Sequence, residues 1–275
     1  MTSSTATDAG STARRLPAGR KAELAAYVAE VGEVTVAQLA DRFDVSADTI
    51  RRDLDALDAD GVLIRTHGGA VSTSAIPRPD TGLDVRMRLQ TTAKERIGAL
   101  AATLVHDGFA IVVNAGTTTL ALARHLADHS DLTIATNSLR LATEIAPKVY
   151  RDLYVFGGAV RASAQATVGP VRLPALAGGP ELDIRCDLAI IGVGAVAVDA
   201  GYSTSNLAEA QMMGDMMDRA ACVAVLADSS KFGRRLFAQI ADLGRADYLV
   251  TDVAPPHDLH DALRARDVEV LVAAD

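Results

Sequence analysis

Two rhythms of apolar residues divide this chain. From residue 19 to 72 they recur at helical spacing and end in a short paired run. From residue 93 onward, compact apolar blocks alternate with glycine- and threonine-rich turns and helical stretches. In the first part, Leu24, Val28 and Val31 fall on one face of a helix predicted from about Gly19 to Val31. Thr35 can cap a second helix, "VAQLADRF", and "DVS" makes the turn that follows. Ser46 caps a third helix, where Ile50, Leu54 and Leu57 give one apolar stripe. "DGVLIRTHGGAV" then reads as two short strands about a Gly-Gly turn. Three helices and a β-hairpin predict an N-terminal winged helix-turn-helix over residues 19–72.

The stretch "STSAIPRPDTG" carries two prolines and no periodicity, and a linker is expected over 73–92. The Ser/Thr/Ala-rich residues 1–18 are expected to be a disordered tail, without the apolar run of a signal peptide. Beyond residue 93 come "FAIVVNAGTTTLALARHLAD", "LTIATNSLRLATEIA", "LYVFGGAV", "CDLAIIGVGAVAV", "AACVAVLADSSKFG", "ADYLVTD" and "VEVLVA", with a helix near 257–266. Such alternation predicts an α/β domain over 93–275, built on a mainly parallel sheet covered by helices. Ligands in such sheets bind outside the carboxyl ends of the strands.

Charge narrows the picture. The chain of 275 residues has a net charge of −8, so any nucleic-acid contact must be a local patch. Residues 20–71 hold six Lys and Arg against ten Asp and Glu, a net −4. DNA binding there must rest on few cations and on two subunits acting together. Arg52 projects about 200° from Ile50 and Arg51 about 100° round on the flank, so neither is on the buried stripe. On an ordinary helix they would merely pair with Asp48 and Asp55; at the start of the second helix of a helix-turn-helix they can meet phosphates or a guanine edge. Cys186 and Cys222 lack metal spacing and read as reduced thiols of a cytoplasmic protein. The longest apolar run, "LAIIGVGAVAV", is too short to span a bilayer, so no membrane partner is expected. His125 and His129 are four apart, but no third ligand is visible; no metal and no cofactor are expected.

The turns after the strands suggest a ligand. In "AGTTT", the helix-start N–H groups and the hydroxyls of Thr117, Thr118 and Thr119 favour an anion, and Lys231 could add a full positive charge. Glycine turns join strands to helices in any such sheet, so each motif alone is weak. Together they point to a phosphorylated small molecule. A sugar-phosphate isomerase on the same sheet is the alternative, but "IIGVGAVAV" offers no carboxylate pair, only Asp199 and Glu209 further on.

The run "VTVAQLADRFDVSADTIRRDLDALDADGVLIRTHGGAV" resembles the N-terminal module of the DeoR family of bacterial repressors, and the likeness extends over about residues 20–252. The resemblance implies that Ser46, Thr49, Arg51 and Arg52 serve DNA and that Arg65 and His67 lie on the wing. It implies a C-terminal domain resembling ribose-5-phosphate isomerase that senses sugar phosphates. "GTT" at 116–118, "TNS" at 136–138, "GG" at 157–158 and "DSSKFG" at 228–233 match the family. Where the family often has Asp at the end of the first strand, this chain has Asn114, and Ala195 replaces a usual glycine. The expected effector set is Asn114, Gly116, Thr117, Thr118, Thr119, Thr136, Asn137, Ser138, Gly157, Gly158, Gly192, Glu209 and Lys231. The implied protein is a regulator of a sugar-catabolism operon, a repressor released from double-stranded operator DNA by a phosphorylated sugar. It is expected to be a homo-oligomer, dimer or tetramer, held by the C-terminal domain.

Overall fold

The computed structural model describes residues 17–73, 81–172 and 183–274. The expected tail, up to residue 16, and the middle of the expected linker, 74–80, lie outside the described residues. The chain divides into two compact units, with the boundary between Ile76 and Pro77.

The first unit holds α1 (Pro17–Val31), β1 (Glu33–Thr35), α2 (Val36–Phe43), α3 (Ala47–Ala59), β2 (Leu63–Thr66) and β3 (Gly69–Ser72). Thr35 and Gln38 form a reciprocal capping box on α2, and the Ser46 side chain caps α3. Leu24, Val28, Leu39, Ile50, Leu54 and Leu57 pack into one core. Val31 does not join it and is 49% exposed. Its angle on the helix is right, but it is the last helical residue and the chain turns away at Gly32, whose φ is 86°. Arg20 Nε donates to Asp53 Oδ2 at 2.6 Å and ties α1 to α3. The hairpin carries a third strand that the pattern did not predict: β1 pairs antiparallel with β3, giving the order β1-β3-β2. A Cβ on Gly69 would lie 1.9 Å from the Val34 carbonyl oxygen, so this position admits only glycine.

The second unit begins inside the segment expected as linker, because α4 (Leu83–Arg88) and the start of α5 (Thr91–Ala102) occupy it. Then follow β4 (Ala110–Val113), α6 (Thr117–His125), β5 (Leu132–Thr136), α7 (Leu139–Glu144), β6 (Tyr150–Val155), β7 (Ala159–Arg161) and β8 (Ala166–Val168). After these come β9 (Cys186–Gly192), β10 (Ala195–Ala197), β11 (Gly201–Thr204), α8 (Leu207–Asp218), β12 (Ala220–Leu226) and β13 (Ala238–Ala241). The unit ends with β14 (Tyr248–Thr251), α9 (His257–Arg264) and β15 (Glu269–Val272). Seven strands form one parallel sheet in the order β15-β14-β12-β9-β4-β5-β6. Successive residues of β4 and β9 enter opposite cores: Val112, Ala189 and Ile191 on one face, Ile111, Val113, Leu188 and Ile190 on the other. Burial on both faces is why these strands read as unbroken apolar runs. Two smaller antiparallel sheets, β10-β11-β13 and β7-β8, stand apart from it. The turn expected after "IIG" is in part β10, whose residues are fully buried.

Among the described residues no helix is long and apolar enough to cross a membrane. His129 lies beyond the end of α6, so the helical pair with His125 is not formed. His125 contacts Glu95 and His129 contacts the Val105 carbonyl.

The strand order makes β12, β9, β4 and β5 neighbours, so their carboxyl ends share one edge. Asn114 locks two of those ends together. Its Nδ2 donates to the Gly192 carbonyl at 2.9 Å and its Oδ1 accepts from the Gly192 N–H at 2.8 Å. A neutral amide can donate and accept in this way, whereas an ionised carboxylate can only accept. Asn114→Asp should therefore destabilise the domain by about 1–3 kcal/mol in urea denaturation. The loss should shrink on acidification, since the protonated acid regains a donor; an Asp variant as stable as wild type at neutral pH would refute this.

Candidate functional site

On the first unit, the residues expected to serve DNA divide by what they already bond. Arg51 and Arg52 are exposed on α3. Arg51 Nη1 reaches Asp48 Oδ1 at 2.7 Å, and Arg52 Nε donates to the Asp48 carbonyl at 3.3 Å. Exposed pairs of this kind are worth a few tenths of a kcal/mol and are readily exchanged for a stronger anion. Ser46 and Thr49 are engaged with each other at the cap, 3.0 Å between hydroxyl oxygens. His67 is exposed on the two-residue turn between β2 and β3. Arg65 is different. Its Nε donates to Asp55 at 2.7 Å and its Nη1 to the Thr66 carbonyl at 2.8 Å. It fastens the wing to α3, which leaves its guanidinium largely spoken for.

In the second unit, a cleft opens over the carboxyl ends of β12, β9, β4 and β5. Its volume of about 120 Å³ is roughly ten times what one water needs. Of the expected effector residues, it brings together Asn114, Gly116, Thr117, Thr118, Asn137, Gly192, Glu209 and Lys231. Thr119, Thr136, Ser138, Gly157 and Gly158 are not in its lining. All but Gly157 make contacts within the frame. The Thr119 hydroxyl donates to the Asn114 and Gly116 carbonyls, and the Thr136 hydroxyl donates to the Val113 carbonyl. Ser138 caps α7. Gly158, at φ 132°, lets the chain pass close to the Val168 carbonyl. Two lining residues are likewise committed to the frame: Asn114 as above, and Asn137, which accepts from the Ala115 N–H at 2.7 Å and donates to the Thr167 carbonyl at 2.9 Å.

The cleft also contains cations that the motifs did not reveal. Arg86, Lys94, Arg161 and Arg234 line it with Lys231. Lys94 had a signal in the sequence: it sits on the apolar face of α5 among Ala93, Ile97 and Ala101, where a charge is out of place. Arg86, Arg161 and Arg234 lie in segments with no such contrast. The carboxylate in the lining, Glu209, pairs with Arg161 at 2.8 Å. Asp228 lies beneath, 3.9 Å from Lys231 Nζ, too far for a hydrogen bond.

These cations are strained electrostatically. Burial is the main cause that pushes Lys94 down to about 8; Asp228 opposes it, while Lys231 and Arg86 add to it. Burial also lowers Lys231, against Asp228 and helped by Arg234 and Arg86. Arg86 is lowered by burial, with Glu209 opposing and Arg161 adding. Several positive groups lose hydration and repel one another here, beside the start of α6, which has no side-chain cap. An anion would relieve both penalties.

Known proteins fit this arrangement. The pattern describing the DeoR-like helix-turn-helix domain matches residues 20–75, and that of the DeoR C terminal sensor domain matches residues 89–253. The chain is similar to the HTH-type transcriptional repressor CsqR of Escherichia coli (strain K12), 31% identical over 92% of this chain and 94% of that protein. It is similar to the HTH-type transcriptional repressor GlcR of Bacillus subtilis (strain 168), 32% identical over 90% of this chain and 92% of that one. The glycerol-3-phosphate regulon repressor of Escherichia coli (strain K12) is 30% identical over 83% of this chain and 88% of its own length. Among solved structures, ribose 5 phosphate isomerase A from Neisseria gonorrhoeae aligns remotely, 12% identical over 52% of this chain and 54% of that chain, with a TM-score of 0.35. With both matched regions covering most of its length, the chain belongs to the DeoR family and is a DNA-binding transcriptional regulator rather than an enzyme.

Proposed function

We propose that the chain represses a sugar-catabolism operon and leaves its operator when a phosphorylated sugar fills the cleft. The observation that carries the reading is the crowd of cations in the cleft beside the start of α6, Lys94 buried and Arg86, Arg161, Lys231 and Arg234 half-buried, in a chain of net charge −8. Such a crowd needs a compact, highly charged partner, and a phosphate is one. The remaining polar groups, Thr117, Thr118 and the Glu209–Arg161 pair, suit hydroxyls. The names of the relatives support the same sense: all three are repressors, and one of them governs a glycerol-3-phosphate regulon. Arg51, Arg52, Thr49 and His67 would face the operator, Arg65 would hold the wing in place, and the second unit would join subunits. Mechanistically, effector and operator favour different states of one oligomer, and each weakens the other's binding.

Each arginine contact to the operator should contribute on the order of 1–3 kcal/mol. Arg51→Ala and Arg52→Ala should each weaken specific binding about tenfold or more in a gel shift, with the fold intact. Unchanged affinity of the double variant would remove α3 from the interface. Since the DNA-binding unit carries net −4, tight binding should require at least two subunits, on half-sites roughly ten base pairs apart or a multiple of that. Sedimentation that finds a tightly binding monomer would contradict it.

Lys231→Ala and Thr118→Val should still bind operator yet respond weakly to the effector, the lysine change costing roughly 1–3 kcal/mol of effector binding. Calorimetry against glucose 6-phosphate, fructose 1-phosphate, ribose 5-phosphate and the unphosphorylated sugars tests this. Equal binding of the unphosphorylated sugars would end the phosphate reading, and turnover of any of them would revive the isomerase one.

The pH dependence follows from Lys94. Below about 8 it is charged, and a bound anion raises its pKa further. Binding should therefore take up protons near that pH, and affinity should fall as pH rises through it. Phosphate, whose second ionisation lies near 6, is dianionic throughout this window and does not confuse the result. Calorimetry in buffers of different ionisation enthalpy should show the uptake; affinity that is flat from about pH 7 to 9.5 would exclude Lys94 from the anion's surroundings.

A further inference from the structure

The cleft is not walled by strand-end loops alone. α4 and the first turn of α5 supply Arg86 and Lys94, and these two residues are coupled. Lys94 Nζ donates to the Arg86 carbonyl at 2.6 Å and also to the Leu89 carbonyl. Both acceptors belong to the last turn and C-cap of α4. Carbonyls at a helix end have no partner within the helix, and a cation there satisfies them. α4 needs that help. It has six residues, no side-chain N-cap and one buried residue, Leu83, and a helix of that length does not persist unaided.

Arg86 itself carries a sign of an absent partner. Its Nε is buried and makes no hydrogen bond, and Arg86 is one of the residues that line the cleft. A buried donor left unmade is costly, and native structures seldom leave one without a reason. An anion in the cleft would satisfy it and would tie down α4, which Lys94 already holds at its C-terminal end. β3 ends at Ser72 and α4 begins at Leu83, so α4 is the first element of the second unit along the chain.

We infer that Arg86 is an anion contact of the cleft and that its engagement fixes α4, the first described element of the second unit. The inference rests on the anion reading of the cleft given above.

The test uses the full-length protein with inorganic phosphate and with glucose 6-phosphate, followed by calorimetry and by amide hydrogen exchange. At saturation, exchange over residues 83–89 should slow about tenfold or more, while β9 is unchanged. Arg86→Gln should weaken binding about tenfold or more, and raising the ligand to saturation should not restore protection of α4. Arg86→Lys keeps the charge but loses Nε; it should recover part of the affinity and little of the protection, and it serves if the Gln variant folds poorly. Wild-type affinity in both variants overturns the inference. So does binding to the wild type that leaves α4 unprotected, and that outcome spares the anion reading of the cleft. If neither ligand binds the wild type at millimolar concentration, the anion reading falls and this inference falls with it.

Discussion

A parallel sheet ends all its strands on one edge, and there the backbone must find partners outside the ladder. Everything in the second unit follows from how this chain meets that demand. Some groups are closed internally: the Asn114 amide bridges β4 to β9, Asn137 bridges the β4 and β5 ends to β8, and the Thr119 and Thr136 hydroxyls take up nearby carbonyls. This rigid lattice of neutral groups supports the rim on which Thr117, Thr118 and Lys231 stand. The cations stand above this bonded frame, in which the buried Asp228 Oδ2 is left without a hydrogen-bond partner.

How much of this could be read from the sequence depended on whether a signal was local. Capping by Thr35 and Ser46 appears in the sequence because a cap needs only its own next turn. The parallel strands show as apolar blocks because both faces are buried. β1, by contrast, has three residues and exists only through pairing with β3. β13 likewise depends on pairing with β11, distant in sequence, while β10 and β11, at three and four residues, are too short for periodicity to announce them. The same division holds in the cleft. Gly116, Thr117 and Thr118 follow a strand directly and were legible, whereas Arg86 and Arg161 reach the site through tertiary packing alone. Thr119, Thr136 and Ser138 shared the polar look of their neighbours but turn inward to the backbone, a difference of orientation that composition does not carry.

The DNA-binding unit shows a comparable economy of charge. Arg20 is bound to Asp53, Arg42 stacks on Tyr27 at 4.0 Å from the ring centroid, and Arg65 joins Asp55. Arg51 and Arg52 are held only by Asp48, which is exposed and easily displaced. An acidic module built this way has little general affinity for a polyanion. Its selectivity comes from a small number of contacts that must all be in register.

Gly69 gives the "HGGA" run a meaning separate from nucleic acid. With the Val34 carbonyl 1.9 Å from where a Cβ would sit, the glycine is demanded by closure of the three-stranded wing sheet. The motif is therefore an architectural stamp: it marks proteins that fold the wing over β1, whatever base pairs they choose. Divergence in operator preference among such proteins is free to accumulate at the solvent-facing positions of α3 and at the wing tip, where a change of side chain leaves that closure untouched.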